Sequence, residues 1–163
     1  MVKEHIFMYD LLIFMAPKTL IISLVYYPEF VGGAEVATFE ITKRMPNDSF
    51  DMITLRGGSS FSEEDIGNVH VYRVGWKVNH TNFFGKVFFN VQKYLFPILV
   101  FLKGLSLFQK NSYTHLWSIM ANHGGFGALL LKLRFSSLKF VLTLQEGDPI
   151  SYIKRKVFLV YPF

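Results

Sequence analysis

Apolar and polar positions follow two different periods along this chain, and the switches between them mark its elements. Residues 19–25, Thr-Leu-Ile-Ile-Ser-Leu-Val behind Lys18, form a continuous β-branched and aliphatic run. That is the pattern of a strand covered on both faces, as in a parallel sheet. Pro28 and the pair Gly32-Gly33 stop it and allow a tight, backbone-exposed turn. A helix follows, with Ala34, Ala37 and Ile41 as its apolar positions, Glu35, Glu40, Lys43 and Arg44 elsewhere, and Pro46-Asn47-Asp48 at its end. Residues 50–55 predict a second strand, stopped by Arg56-Gly57-Gly58-Ser59-Ser60, and the alternation over 69–74 predicts a third.

The most apolar stretch, residues 83–110, carries Lys86, Lys93, Lys103 and Lys110, with Pro97 inside it. A transmembrane helix needs about 20 residues nearly free of charge. Lys93 and Lys103 therefore favour a kinked, partly buried helix that lies against the sheet or a membrane surface. Residues 115–119 read as a short strand, 121–127 as a second Gly-rich turn, and 128–133 as the helix after it. Residues 140–144 read as another buried strand, followed by Gln145-Glu146-Gly147-Asp148-Pro149 and a helix from Ile150 onward. Strands alternating with helices predict an α/β fold with a mostly parallel sheet and right-handed crossovers.

Composition narrows the class. The 163 residues suit one compact domain, and a content of 51% hydrophobic and 17% aromatic residues excludes a disordered, solvating chain. The net charge of +5 suits an anionic partner. The Lys and Arg residues are scattered through the sequence, which argues against nucleic acid. Zero Cys excludes disulfides, thiolate metal sites and Cys nucleophiles, and agrees with a cytoplasmic location. Residues 7–16 are apolar enough for a signal-peptide core, but Asp10 interrupts them, Glu4 offsets Lys3 and no small-residue cleavage site precedes Pro17. Residues 1–17 are read as an N-terminal extension without assignable chemistry.

In open parallel sheets, ligands bind beyond the carboxyl ends of the strands. Three polar, Gly-containing segments are expected at that edge, residues 29–35, 121–127 and 145–149. Gly32 and Gly33, leading into Ala34, let a phosphate approach backbone N–H groups at a helix start; alternatively the pair merely makes the turn. Glu35, Arg56, Asn122, His123, Gly124 and Asp148 are candidate substrate-binding residues. Neither a P-loop lysine nor a full dinucleotide fingerprint is present. Glu146 and Asp148 can accept sugar hydroxyls or form an ordinary turn. No His pair has metal spacing.

Tyr26-Tyr27-Pro28-Glu29-Phe30-Val31-Gly32-Gly33-Ala34-Glu35 after the first strand resembles the signature near the start of family-4 glycosyltransferases, which are of the GT-B type and retaining. The spacing to Thr143-Leu144-Gln145-Glu146-Gly147-Asp148-Pro149 agrees. The resemblance runs from Lys18 to the last residue. It implies a Rossmann-like sheet with helices on both faces, a nucleotide-sugar as co-substrate and no metal or other cofactor. By position it makes Gln145 and Glu146 the catalytic candidates, Gln145 standing where the family often has His. It implies contact of the Gly32-Gly33 loop with the donor's phosphate or the acceptor.

The same resemblance implies that residues 18–163 are the acceptor-side half, incomplete at its C-terminus, of an enzyme moving a hexose to a lipid-linked or polysaccharide acceptor. The donor half would belong to a missing C-terminal domain or a separate subunit, and this half alone is expected to be inactive. An alternative is a non-catalytic acceptor- or partner-binding subunit of a split, membrane-associated glycosyltransferase, peripheral on the inner face of the membrane. A small membrane-associated structural protein is a third class.

Overall fold

The apolar runs become strands of a six-stranded sheet in a computed structural model that describes residues 18–45, 49–78 and 82–144. In chain order the elements are β1 (Lys18–Ile22), α1 (Gly33–Lys43), β2 (Ser49–Leu55), β3 (Glu63–Ile66), β4 (Val69–Val74), α2 (Phe83–Lys110), β5 (Tyr113–Ile119), α3 (His123–Arg134) and β6 (Lys139–Thr143). Their spatial order is β3-β4-β2-β1-β5-β6, and all neighbours are parallel except the β3–β4 hairpin. The mostly parallel α/β sheet is as the alternation of patterns predicts. From β1 the chain first builds outward through β2 and β4, then returns to β1's other side with β5. The order thus reverses between β1 and β5.

Side chains alternate across each strand, and each face receives its own helical cover. Leu20, Ile22, Ile53, Leu55 and Leu116 pack on one face with Phe96, Val100 and Leu107 of α2 and Ala128 and Leu131 of α3. Ile21, Phe50, Met52, Val71 and Ile119 form the other cluster, covered by Ala34 and Phe39 of α1. Each fully buried side chain of this size stabilises by about 1.5–3 kcal/mol. The two helices on the first face touch through glycine. A Cβ on Gly127 would lie 2.8 Å from the Val100 Cβ and 3.3 Å from the Pro97 Cα.

Five details depart from the sequence expectation. β6, read from its apolar run as a buried strand, lies at the edge of the sheet, with Val141 50% and Leu142 42% exposed among the described residues. β1 ends at Ile22, short of Val25, although Ser23 N–H still donates to the Ile53 carbonyl and the Leu24 carbonyl accepts from Leu55 N–H. β3 was not expected, because Glu63, Glu64 and Asp65 carry no apolar signal; a Gly67-Asn68 turn with Gly67 at φ 64° folds it onto β4. Residues 123–127 are helix and not turn, since Gly124 and Gly127 serve close packing within α3. α2 continues as one helix through Pro97.

At the amino ends of the strands, buried Asp51 accepts from Lys18 Nζ at 2.9 Å and from the Tyr113 hydroxyl. Burial pushes the Tyr113 phenol up from its ordinary pKa, and the hydrogen bond to Asp51 adds to the shift. This cluster lies at the edge opposite the loops discussed next.

Candidate functional site

Because β1, β2, β4, β5 and β6 run the same way, the chain leaves all five at one edge of the sheet. A cavity of about 500 Å³ opens there between the ends of β1 and β5. Ser23, Leu24 and Val25 line it from the segment after β1, Gly32, Gly33, Ala34 and Glu35 from the start of α1, and Met120 and Asn122 from the turn after β5. Residues about ninety apart in sequence thus meet where the strand order reverses, the position at which open α/β sheets bind ligands.

The α1 start is built so that its backbone faces this cavity. Gly32 is the N-cap, in extended conformation at φ −113°, and the first helical bond runs from Val36 N–H to the Gly32 carbonyl at 3.1 Å. The N–H groups of the first turn therefore have no acceptor within the helix. The Glu35 carboxylate folds back over Gly32, where it would collide with a Cβ. Gly33 is different: nothing lies within 4 Å of the place its Cβ would occupy. A side chain at Gly32 would displace the Glu35 carboxylate, and one at Gly33 would displace nothing.

Electrostatics favour hydroxyls over phosphate here. A helix N-terminus carries about half a positive charge, whereas Glu35, buried beside it and the one titratable side chain lining the cavity among the described residues, carries a full negative charge when ionised. Backbone donors and one carboxylate acceptor together match a hydroxylated, uncharged ligand. Met120 adds a strained element, at φ 68° with its N–H donating to the Thr143 carbonyl at 2.8 Å. For a residue with a side chain, the left-handed region costs about 1–2 kcal/mol.

The other predicted residues divide. Asn122 lines the cavity, but its Oδ1 accepts from Gly124 N–H at 2.9 Å, capping α3. Gly124 is buried, and a Cβ there would meet Asn122 Oδ1 at 3.2 Å and the Ile22 Cγ2 at 3.5 Å. His123 stands edge-on to Tyr94, ring centres 5.2 Å apart. Arg56 turns back on its own loop, donating to the carbonyls of Ser59 at 3.2 Å and Ser60 at 2.7 Å. Gln145, Glu146 and Asp148 lie outside the described residues. Among the described residues, no group of three or more His, Asp or Glu side chains is placed to hold a metal ion.

A second charged feature at the same edge was not singled out from sequence. Arg73, fully buried in β4, pairs through Nε with Glu64 at 2.6 Å, donates from Nη2 to the Tyr27 carbonyl at 3.1 Å and lies 3.7 Å from Glu29. Glu29 also accepts from Gly57 N–H at 3.2 Å. Arg73 Nη1 and Glu29 Oε1 make no hydrogen bond among the described residues. Both residues border a cavity of about 670 Å³ with Phe30, Ser60 and Phe61. The alternation of residues 69–74 signalled that Arg73 points inward; its partners sit on loops no periodicity locates.

Neither a comparison with protein-family models nor one with curated proteins returns a match.

Proposed function

We propose that this chain is the acceptor-side domain of a GT-B glycosyltransferase, binding a hydroxylated acceptor in the cavity between β1 and β5. The observation that carries the reading is the site's position. The Gly32-Gly33 loop opens at the point where the strand order reverses, and Gly33 borders the cavity with no packing reason to be glycine. The strand order and the helices on both faces are compatible with the Rossmann-like domain that the resemblance implies. In this reading the acceptor hydroxyl lies against the α1 start, and a donor-binding half would bring the nucleotide-sugar to it. Glu35 and the backbone donors orient the hydroxyl.

One observation favours the second reading, a binding subunit without catalysis. Among the described residues lining the cavity, Glu35 alone can exchange a proton, so this pocket orients a ligand more readily than it transforms one.

Amide chemical shifts of the full chain, followed during titration with mono- and disaccharides and separately with nucleotides, test the proposal. Sugars should move the Gly33, Ala34 and Asn122 amides at millimolar concentration, and Gly33→Leu should abolish the response in a folded chain. Shifts elsewhere for every sugar tried, with these amides still, would overturn it.

A further inference from the structure

On α2, Phe84, Phe88, Val91, Leu95, Ile98 and Leu102 follow one another at intervals of four, three, four, three and four residues. That spacing keeps them on one side of a helix, a stripe about 27 Å long at 1.5 Å per residue. The stripe faces outward: Phe84 is 74% exposed, and each of the six is more than a third exposed. The opposite side, with Phe96, Val100, Gly104 and Leu107, is buried against the sheet and α3. Phe83–Lys110 is long and apolar enough to cross a membrane by length and composition. Crossing would strip that inner side from the core it completes. An apolar outer face on a packed helix lies flat on its partner.

Charge identifies the partner. Residues 66–145 contain no Asp or Glu but nine Lys or Arg, so all twelve acidic residues lie elsewhere in the chain. Both α2 and α3 fall in the acid-free stretch and share one face of the sheet, while Glu35 and Glu40 belong to α1 on the other. At the stripe's amino end, Trp76 and Lys77 join Phe84, Val87 and Phe88 around an apolar pocket of about 570 Å³. The Gln92 side chain holds that wall in place, accepting from Trp76 N–H at 2.5 Å and donating to its carbonyl at 3.2 Å. A helical partner at such spacing would ordinarily be steered by flanking charges of both signs. Lys103 pairs with Glu63 of β3 at 3.1 Å and Arg73 is buried against Glu64, whereas α2 and α3 themselves carry Lys86, Lys93, Lys110, Lys132 and Arg134 and no acid. Aromatic and aliphatic residues bordered by such an excess of cations match an anionic bilayer surface.

We infer that the outward face of α2 docks on an anionic membrane, its apolar stripe in the acyl boundary and the basic α2–α3 layer against the headgroups. The docking stands apart from the sugar-transfer reading, since it needs no sugar and survives that reading's failure. Flotation of the full chain with phosphatidylcholine vesicles, with and without phosphatidylglycerol, tests it. Binding should require phosphatidylglycerol and weaken about tenfold or more between about 0.1 M and 1 M salt, as the screening length contracts from about 10 to 3 Å. The pair Phe84→Ser and Phe88→Ser should weaken it at least about tenfold, while Ile41→Ser, at an exposed apolar residue of α1 on the other face of the sheet, leaves it unchanged and both variants keep the wild-type circular dichroism. Equal binding to both vesicle types, no binding, or equal loss in both variants would overturn the inference. So would a dimer in sedimentation that the α2 pair dissociates without any lipid binding.

Discussion

Gly33→Ala separates a glycine kept for the fold from one kept for a ligand. Gly33 is the first residue of α1, and its missing Cβ would point into open space. Alanine exceeds glycine by about 1 kcal/mol in helix interiors and by less in the first turn, so a gain of about 0.5 kcal/mol is expected, partly from a less flexible unfolded chain. For a chain of this size that raises the midpoint of thermal unfolding by about 2 °C. Gly75→Ala provides the contrast. Gly75 sits at φ 94°, and a Cβ there would collide with the Gln92 amide and lie 3.4 Å from Leu55 Cδ1. The left-handed backbone alone costs about 1–2 kcal/mol, so this midpoint should drop by several degrees. Circular dichroism melts of the two variants and the parent provide the measurement. A lower midpoint for Gly33→Ala would mean that the fold itself requires glycine there, and the argument for close approach of a ligand would fail.

Arg73→Met should destabilise by about 3–5 kcal/mol, because it leaves Glu29 and Glu64 without the buried cation between them; adding Glu64→Gln should recover part of the loss in urea unfolding, and equal midpoints for the single and double variants would refute the pairing. Alkaline stability is the other expectation. Burial pushes Tyr26 up to about 12, so the fold holds the phenolic proton more tightly than the unfolded chain does. That contribution is fully present below about pH 10 and is lost as pH rises toward 12, up to about 3 kcal/mol. Urea midpoints between pH 8 and 11, in wild type and Tyr26→Phe, should diverge in slope only at the alkaline end; parallel profiles would exclude Tyr26 as the source.

The strands of the sheet were legible because burial on both faces leaves uninterrupted runs such as Leu20-Ile21-Ile22, which no other element of that length explains. The edge hairpin was not, since Glu63, Glu64 and Asp65 are held by backbone pairing to β4 and present no periodic apolar face. Glycine misled in one place and informed in another. Gly124 and Gly127 resemble turn residues in sequence, yet both are helical: Gly127 is dictated by Val100 of α2, which local patterns do not reveal, and Gly124 sits tightest against the capping Asn122 Oδ1. Gly32 and Gly33 were located by their place after the first strand, but their different roles depend on where the Glu35 carboxylate rests. Asn122 was placed correctly at the sheet edge, and its duty as a helix cap emerged from one hydrogen bond. Glu29 pairs with a residue forty-four positions away, a relation that topology sets.

The position of β1 between β2 and β5 imposes an order on the chain's synthesis. Leu20 pairs with Asp51 on one side and with Leu116 on the other, so the second partner is made ninety-six residues later. At 5–20 residues per second, a ribosome needs about 5–20 s to deliver it. During that interval β1, β2 and β4 can associate, while the flank of β1 destined for β5 exposes an open edge of Leu and Ile. Such an edge is a template for pairing with another nascent chain. This protein is most vulnerable to misassembly after its first half is made and before Tyr113 leaves the ribosome, and slowing translation across α2 would lengthen that window.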